Sequence, residues 1–590
     1  MRKLAPGLIL TAAAAGLSAQ ESAVVQAPEE AVTQASYPNF LIVVADDLGW
    51  SDIGALGGEI RTPTLDSLAR EGTVMTQYYV APTCSPTRSM LMTGLDNHTA
   101  GVGTMHGLAA PNQTGRNYAA QLHDDVVTIA EALAGKGYET LMSGKWHLAI
   151  DEAQRPHKRG FDRSFSLQPG GASHFADQRW LNPTEAVVYL EDGEPATVPA
   201  DFYSSINYTD KLLQYLGERD RTRPFLAYLA YTAPHDPLQV PDEWLDRYRG
   251  AYADGPGAIR QARNERQKAA GLFPADGQLW EPPQFPWILP NKLDPWDERD
   301  DEERFESERR MEIYASMVEL MDQQLARVIE HLRERGDLEN TYVLFFSDNG
   351  ASSSAPSIYP GNTPEWLAEN WSLATEDFGN PGSFAVMSRE WATVANTPWR
   401  MFKGAVGEGG IRSPFIVRGP RIPAGVFNDA LSHVSDVAPT LYALAGVAPE
   451  QDPLFAGKLL PQGVPLHAVW TGDSQSVRDG FAVELFGSRA IRSEDWKATM
   501  IRPPQGSGRW ELYDLGNDPG ETMDVGAQHP QLLQRLQGDY QQYVQQNGVI
   551  HPKGMPTPTP RAFYPSECDW FCELRFSVFA WLPKPSPTTD

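Results

Sequence analysis

The sequence predicts an α/β fold followed by a smaller antiparallel domain. Strand-length apolar runs such as FLIVVA, 40–45, end in polar residues. Helical patterns separate those runs, which is the signature of a sheet covered by helices. After about Val447 the pattern changes to short strand pairs joined by Pro/Gly turns.

The first run, FLIVVADDLGW, reads as a buried strand with Asp46 and Asp47 at its C-terminal end. RTPTLDSLAREG follows as a helix, with Thr62 as N-cap, Pro63 at the first position and Gly72 as the stop. VTIAEALAGKGYETLMSGKWHL reads helix, turn, strand, with Lys145 and His147 just past the strand. RPFLAYLAYTAPHDP is another apolar run, ending near His235. Met311, Tyr314, Val318, Met321, Leu325, Val328 and Leu332 recur in steps of three and four, which predicts a long amphipathic helix stopped at Gly336. TYVLFFSDNG then gives a strand ending at Asp348 and Asn349. Polar residues thus collect at the C-terminal ends of several core strands, the edge where open α/β sheets bind ligands. Further on, WKATMIRPPQGSGRWELYDL reads as two strands joined by a turn. The stretch 250–310 is charged, aromatic and Pro-rich, and reads as an excursion from the core.

A chain of 590 residues can bury a sizeable core and suits more than one domain. With 41% hydrophobic and 21% charged residues it reads as globular rather than disordered. The formal net charge of −27, with no Lys/Arg-rich run, argues against nucleic-acid binding. It does not exclude an anionic small substrate, because the local field of a cleft decides that. Arg2 and Lys3, an apolar stretch and small residues near Ser18 and Ala19 form a secretory signal pattern over 1–23. A flexible linker, 24–36, follows. These features predict export, to the periplasm or the medium. No later stretch is long and apolar enough for a stable membrane span. The expected organisation is a main domain over 37–447, a C-terminal subdomain over 448–550 and a Pro-rich tail over 551–590.

Two acid pairs follow buried strands: Asp46-Asp47 and Asp348-Asn349. Either pair alone reads as caps for the following turns. Together they supply three carboxylates and an amide oxygen, a hard donor set suited to Ca²⁺ or Mg²⁺; zinc would want more His or Cys. The three cysteines are Cys84, Cys568 and Cys572. The last two can pair, though their spacing does not require it. Cys84 is then left over in a chain that reads as exported. It lies at or just before a helix that Pro86 opens and Gly94 ends, and oriented N–H groups there favour negative charge. Arg88 sits one turn on, on the same face. A buried structural thiol is the usual state of a free cysteine, but Thr83, Ser85 and Thr87 are polar neighbours.

CSPTR resembles the Cys-x-Pro-x-Arg signature of the type I sulfatases, and CSPTRSMLMTG extends the likeness. VADDLGWSD, GKWHL, TAPHDPLQVP, SDNG and NTPWRMFKGAVGEGGIRSPFIVRGP are similar, in the same order, to blocks of bacterial arylsulfatases. The likeness runs from about Asn39 to Val447. Thr87 stands where many members carry serine. The resemblance implies a large mixed sheet sandwiched by helices, as in the alkaline phosphatase superfamily. It implies that a separate maturation enzyme converts Cys84 to Cα-formylglycine, whose hydrate is the nucleophile. Hydrolysis of aryl or alkyl sulfate monoesters would then pass through a covalent sulfated intermediate. One calcium ion would be held by Asp46, Asp47, Asp348 and Asn349, with Asp348 also taking a proton. Arg88 would hold the diol, and Lys145 and Lys403 would bind sulfate oxygens. His147 would deprotonate the second hydroxyl. His235, with Lys403, would protonate the leaving oxygen. Phosphonate monoester and phosphodiester hydrolases of the same superfamily use the same group and are the alternative. A binding protein without turnover would be expected to lose a ligand or the nucleophile position, and every such position is filled.

The aromatic-rich stretch between Asn349 and Lys403 includes Trp391 and Trp399. It is expected either to form the pocket rim or to pack onto the body. His98 and His106 match no role and read as structural.

Overall fold

The computed structural model describes residues 37–281, 295–503 and 505–553. The predicted leader and linker, the region of Cys568 and Cys572 and nearly all of the Pro-rich tail lie outside the described residues. Ten strands form one sheet. From edge to edge they are Val426–Asn428, Thr73–Met75, Phe415–Arg418, Thr341–Ser347, Asn39–Ala45, Phe225–Ala230, Glu139–Lys145, Arg163–Leu167, Tyr189–Glu191 and Glu194–Pro195. The five strands from Thr341–Ser347 to Arg163–Leu167 run parallel, while Phe415–Arg418 and Tyr189–Glu191 pair antiparallel, so the sheet is mixed.

The central Asn39–Ala45 strand shows why an unbroken apolar run was required there. Successive side chains point to opposite faces. Leu41, Val43 and Ala45 join a core on one face with the helices Ser204–Glu218 and Asp301–Glu334. Phe40, Ile42 and Val44 join a second core on the other face with Cys84–Thr93, Ile129–Gly135 and Val437–Ala445. Both faces are dry, and each fully buried Leu, Ile, Val or Phe contributes about 1.5–3 kcal/mol. The 34-residue helix Asp301–Glu334 opens with a capping box between Asp300 and Glu303, and Gly336 follows it with φ +73°. The excursion over 250–310 carries the helix Gly255–Ala269.

Register sets up the functional edge. Ala45 lies beside Ser347 and Val44 beside Ala230, so Asp46, Asp348 and the segment leading to His235 emerge together. Gly144 lies beside Ala230 in the next strand. A side chain at Gly144 would meet the Ala230 carbonyl oxygen at 1.9 Å, and its φ is +117°, so only glycine fits. Lys145, read from the sequence as just past this strand, is its last residue.

A separate antiparallel sheet contains Gly480–Leu485, Ser488–Ser493, Trp496–Met500 and Glu511–Asp514. The last two are the strand pair read from the sequence. The helix Pro530–Asn547 covers this sheet through Leu536 and Tyr540.

His98, structural in the sequence reading, ties the small sheet to the large body. Its Nδ1 is 3.0 Å from Asp96 Oδ1 and its Nε2 is 3.1 Å from Glu484 Oε2. Tyr543 donates to Asp96 Oδ2 at 2.9 Å. Burial works against the ring's charge, but the hydrogen bonds and charges of Asp96 and Glu484 outweigh it and raise His98 to about 9. A raised pKa stabilises the fold fully below the unfolded value near 6.5, and that stabilisation fades as pH rises through about 9. On the order of 3 kcal/mol is at stake. Thermal unfolding between pH 6.5 and 9.5 should therefore show a fall in Tm that the His98→Gln variant lacks; equal slopes would mean that His98 carries no charge in the fold.

Candidate active site

Three strand ends and one helix start converge. Asp46 and Asp47 follow Asn39–Ala45, Asp348 and Asn349 follow Thr341–Ser347, and His147 stands two residues beyond Glu139–Lys145. Asp47 and His147 adopt φ of +66° and +58°, a left-handed backbone that non-glycine residues take at a cost and that is concentrated at functional sites. Cys84 is the first residue of Cys84–Thr93, and every residue of that helix is buried. Thr87 accepts from the Ala81 N–H at 2.9 Å, so the hydroxyl at this position ties down the turn that presents Cys84. Lys403 lies on a loop tied to two of these elements. Its N–H donates to the Ala351 carbonyl, and that of Gly404 to the Pro82 carbonyl.

The side chains interlock by charge. Lys145 Nζ is 2.5 Å from Asp46 Oδ2. Arg88 reaches Asp348 Oδ2 with Nε at 2.8 Å and Nη2 at 2.7 Å, and its Nη1 donates to the Lys145 carbonyl at 3.0 Å. Lys403 Nζ is 2.7 Å from Asp47 Oδ1, Asn349 Nδ2 donates to the same oxygen at 2.6 Å, and His235 Nε2 is 3.6 Å from Asp47 Oδ2. Asp46, Asp47, Cys84 and His235 each bring one ligand-type atom within 4.8 Å of the others. Asp348 stands beside that group, its Oδ2 taken by Arg88 and its Oδ1 3.4 Å from the Asp47 N–H.

Two oxygens are left over. Asp46 Oδ1 and Asn349 Oδ1 are buried and accept no hydrogen bond among the described residues. Buried acceptors are rarely left so. With the carboxylates of Asp47 and Asp348 they form an oxygen-only donor set, which fits a hard divalent cation.

The field sorts the titratable groups. Burial opposes the charge of Asp46, but Lys145, His235 and Arg88 hold its carboxyl below the usual range. Burial and then the charge of Asp46 raise Asp348 to about 6. Burial, with Lys145 and Arg88, holds His147 well below an ordinary imidazole. Burial disfavours charge on His235 too, yet Asp47, Asp236 and Asp46 outweigh it and the opposing Lys403, so His235 is raised. Burial, then Asp348, pushes the Cys84 thiol up. The glycine pair at 170–171 packs against the two histidines: a side chain at Gly170 would meet the His147 ring at 2.9 Å.

A cavity of about 270 Å³ opens above Cys84, with His147, His235 and Lys403 in its wall. Met105, Leu108, Leu181, Ile358, Phe402 and Phe486 give it an apolar lining. His106, Glu185, Tyr359 and Arg502 also line it, and the sequence reading assigned none of them to the site. Glu185, Phe486 and Arg502 carry no local pattern that marks them. Tyr359 had one weak signal, its place in the loop that leaves Asn349. Of the two readings of Trp391 and Trp399, rim or packing, the structure bears out packing. Both are buried in the main core at 0% and 1% exposure, and Trp391 Nε1 donates to the Ser307 carbonyl. The loop between Asn349 and Lys403 lends the pocket its two ends, residues between Ser352 and Pro360 and then Phe402.

Residues 38–447 match the family model described as Sulfatase. An uncharacterised sulfatase of Schizosaccharomyces pombe is 39% identical over 535 residues, covering 87% of this chain and 94% of its own. An arylsulfatase of Klebsiella aerogenes is 38% identical over 442 residues, covering 74% and 92%. Among solved structures, Ps i-CgsB in complex with k-i-k-neocarrahexaose superposes with a TM-score of 0.62 at 23% identity, over 89% of this chain and 96% of that one. That last likeness speaks for the fold alone. The family match spans Asp46, Asp47, Cys84, Arg88, Lys145, His147, His235, Asp348, Asn349 and Lys403, and the two relatives align over most of both chains. The chain belongs to the sulfatase family, as a sulfuric ester hydrolase.

Proposed function

We propose that this enzyme hydrolyses sulfate monoesters of apolar phenols or alcohols, with residue 84 matured to Cα-formylglycine and one calcium ion beside it. The observation that carries this reading is the placement of Cys84 on the floor of an apolar cavity, among Lys403, His147 and His235. The orphaned oxygens of Asp46 and Asn349, with Asp47 and Asp348, support the cation set. When bound, the cation eases ionisation of an adjacent hydroxyl and polarises sulfate oxygens. The hydrated aldehyde supplies one hydroxyl to attack sulfur and a second whose deprotonation releases sulfate.

The chain's own residues do the rest. Arg88 and Asp348, paired at 2.7 Å, hold the nucleophile, and Asp348 receives its proton. Lys145 and Lys403 fix positive charge where the sulfate oxygens gain negative charge. His147, poor in protons, takes the proton of the second hydroxyl; His235, rich in them, gives one to the leaving oxygen with Lys403. The apolar wall excludes water and receives the leaving group. A leader directing export to the periplasm or medium, and a maturation enzyme acting on Cys84, belong to the same reading.

Paired rates test it. The kcat/KM for 4-nitrophenyl sulfate should exceed that for 4-nitrophenyl phenylphosphonate by about 100-fold or more. The reverse order would assign the phosphonate hydrolase alternative.

A further inference from the structure

Asp236 is buried at 3% exposure, carries charge beside the site, and has no part in the steps above. It holds His235 in two ways. His235 Nδ1 lies 2.6 Å from the Asp236 carbonyl oxygen and 3.1 Å from Asp236 Oδ1. Two acceptors on one side of the ring keep the proton on Nδ1 and direct Nε2 toward Asp47 and the cavity. The carboxylate is itself held, because the Tyr359 hydroxyl donates to Asp236 Oδ1. Behind the ring, His174 Nε2 donates to the His235 carbonyl at 3.0 Å, while its Nδ1 lies 2.6 Å from Ser204 Oγ. His235 is therefore fixed from the backbone on one side and from a pocket-wall tyrosine, through a carboxylate, on the other.

We propose that Asp236 and Tyr359 are positioning residues that orient His235 for proton delivery to the leaving oxygen. This rests on the assignment of His235 as the leaving-group acid. A well-placed acid matters little to a leaving group that departs readily as an anion, and much to one that does not. Loss of orientation should therefore discriminate between esters, whereas loss of packing should not.

The test compares 4-nitrophenyl sulfate, a good leaving group, with phenyl sulfate, a poor one, using matured full-length enzyme. Asp236→Ala should lower kcat on phenyl sulfate at least about tenfold more than on 4-nitrophenyl sulfate. Asp236→Asn keeps an oxygen for Nδ1 and should recover most of that difference. Tyr359→Phe removes one hydroxyl and should shift the ratio in the same direction by less; it carries the test if Asp236→Ala does not fold. Added to His235→Ala, the Asp236 change should cost little more, as expected of residues acting as one unit. Equal losses on both esters, or losses that add to His235→Ala, would overturn the positioning role while leaving His235 as the acid. If His235→Ala itself treats the two esters alike, the acid assignment falls instead.

Discussion

Cys84→Ala should lower sulfate release by about 10⁴-fold or more and move Tm by no more than about 3 °C. The asymmetry follows from what residue 84 touches. Its side chain is 1% exposed, and alanine deletes one buried sulfur from a helix that Met90, Leu91 and Met92 anchor in the second core. Chemically the loss is total, because the expected nucleophile is built on that side chain. An unmodified thiol would not substitute for it: burial and the neighbouring Asp348 keep it protonated. Mass spectrometry of the wild-type peptide spanning residue 84 should show a loss of about 18 Da relative to cysteine. Turnover by Cys84→Ala within about tenfold of wild type would reject residue 84 as nucleophile.

Exhaustive chelation should remove activity, and Ca²⁺ should restore it. The site concentrates Asp46, Asp47 and Asp348, all with less than 2% exposure. Their charges are met by Arg88, Lys145 and Lys403, and two buried oxygens accept no hydrogen bond among the described residues. A bound ion gives those oxygens a partner and stabilises the native state, by about 2.7 kcal/mol at one hundred times its Kd. Chelation should thus lower Tm as well as turnover, and both should return together on titration with Ca²⁺. Full activity in protein shown by elemental analysis to be metal-free would refute the cation set.

Much of the site was legible in the sequence because a buried parallel strand writes itself as an apolar run, and its end is where polarity returns. Asp46, Asp47, Asp348 and Asn349 could be read that way. Lys403 sits in no such pattern and was placed by resemblance alone. The aromatic stretch left two readings open for a physical reason. A tryptophan buries more area than nearly any other side chain, so the drive to bury it is the same whether it will line a pocket or fill a core. Trp391 settles inward because its indole N–H finds the Ser307 carbonyl there. The pocket wall had no sequence signature, since Leu181, Phe402 and Phe486 come from three distant loops. His98 was just as opaque: Glu484, the partner that gives it meaning, lies 386 residues away.

The central strand imposes an order on events in the cell. Asn39–Ala45 is flanked by Phe225–Ala230 and Thr341–Ser347, both made long after it. Arg88 finds Asp348 about 260 residues downstream. At about 5–20 residues per second that stretch takes roughly 13–50 s to synthesise. During that interval the partners that bury Cys84 in the folded protein are incomplete, so an enzyme acting on it would have to do so then; in the fold its side chain is buried. The maturation proposed for Cys84 would therefore be a race against completion of the fold, and the spacing of the strands would set the length of the race.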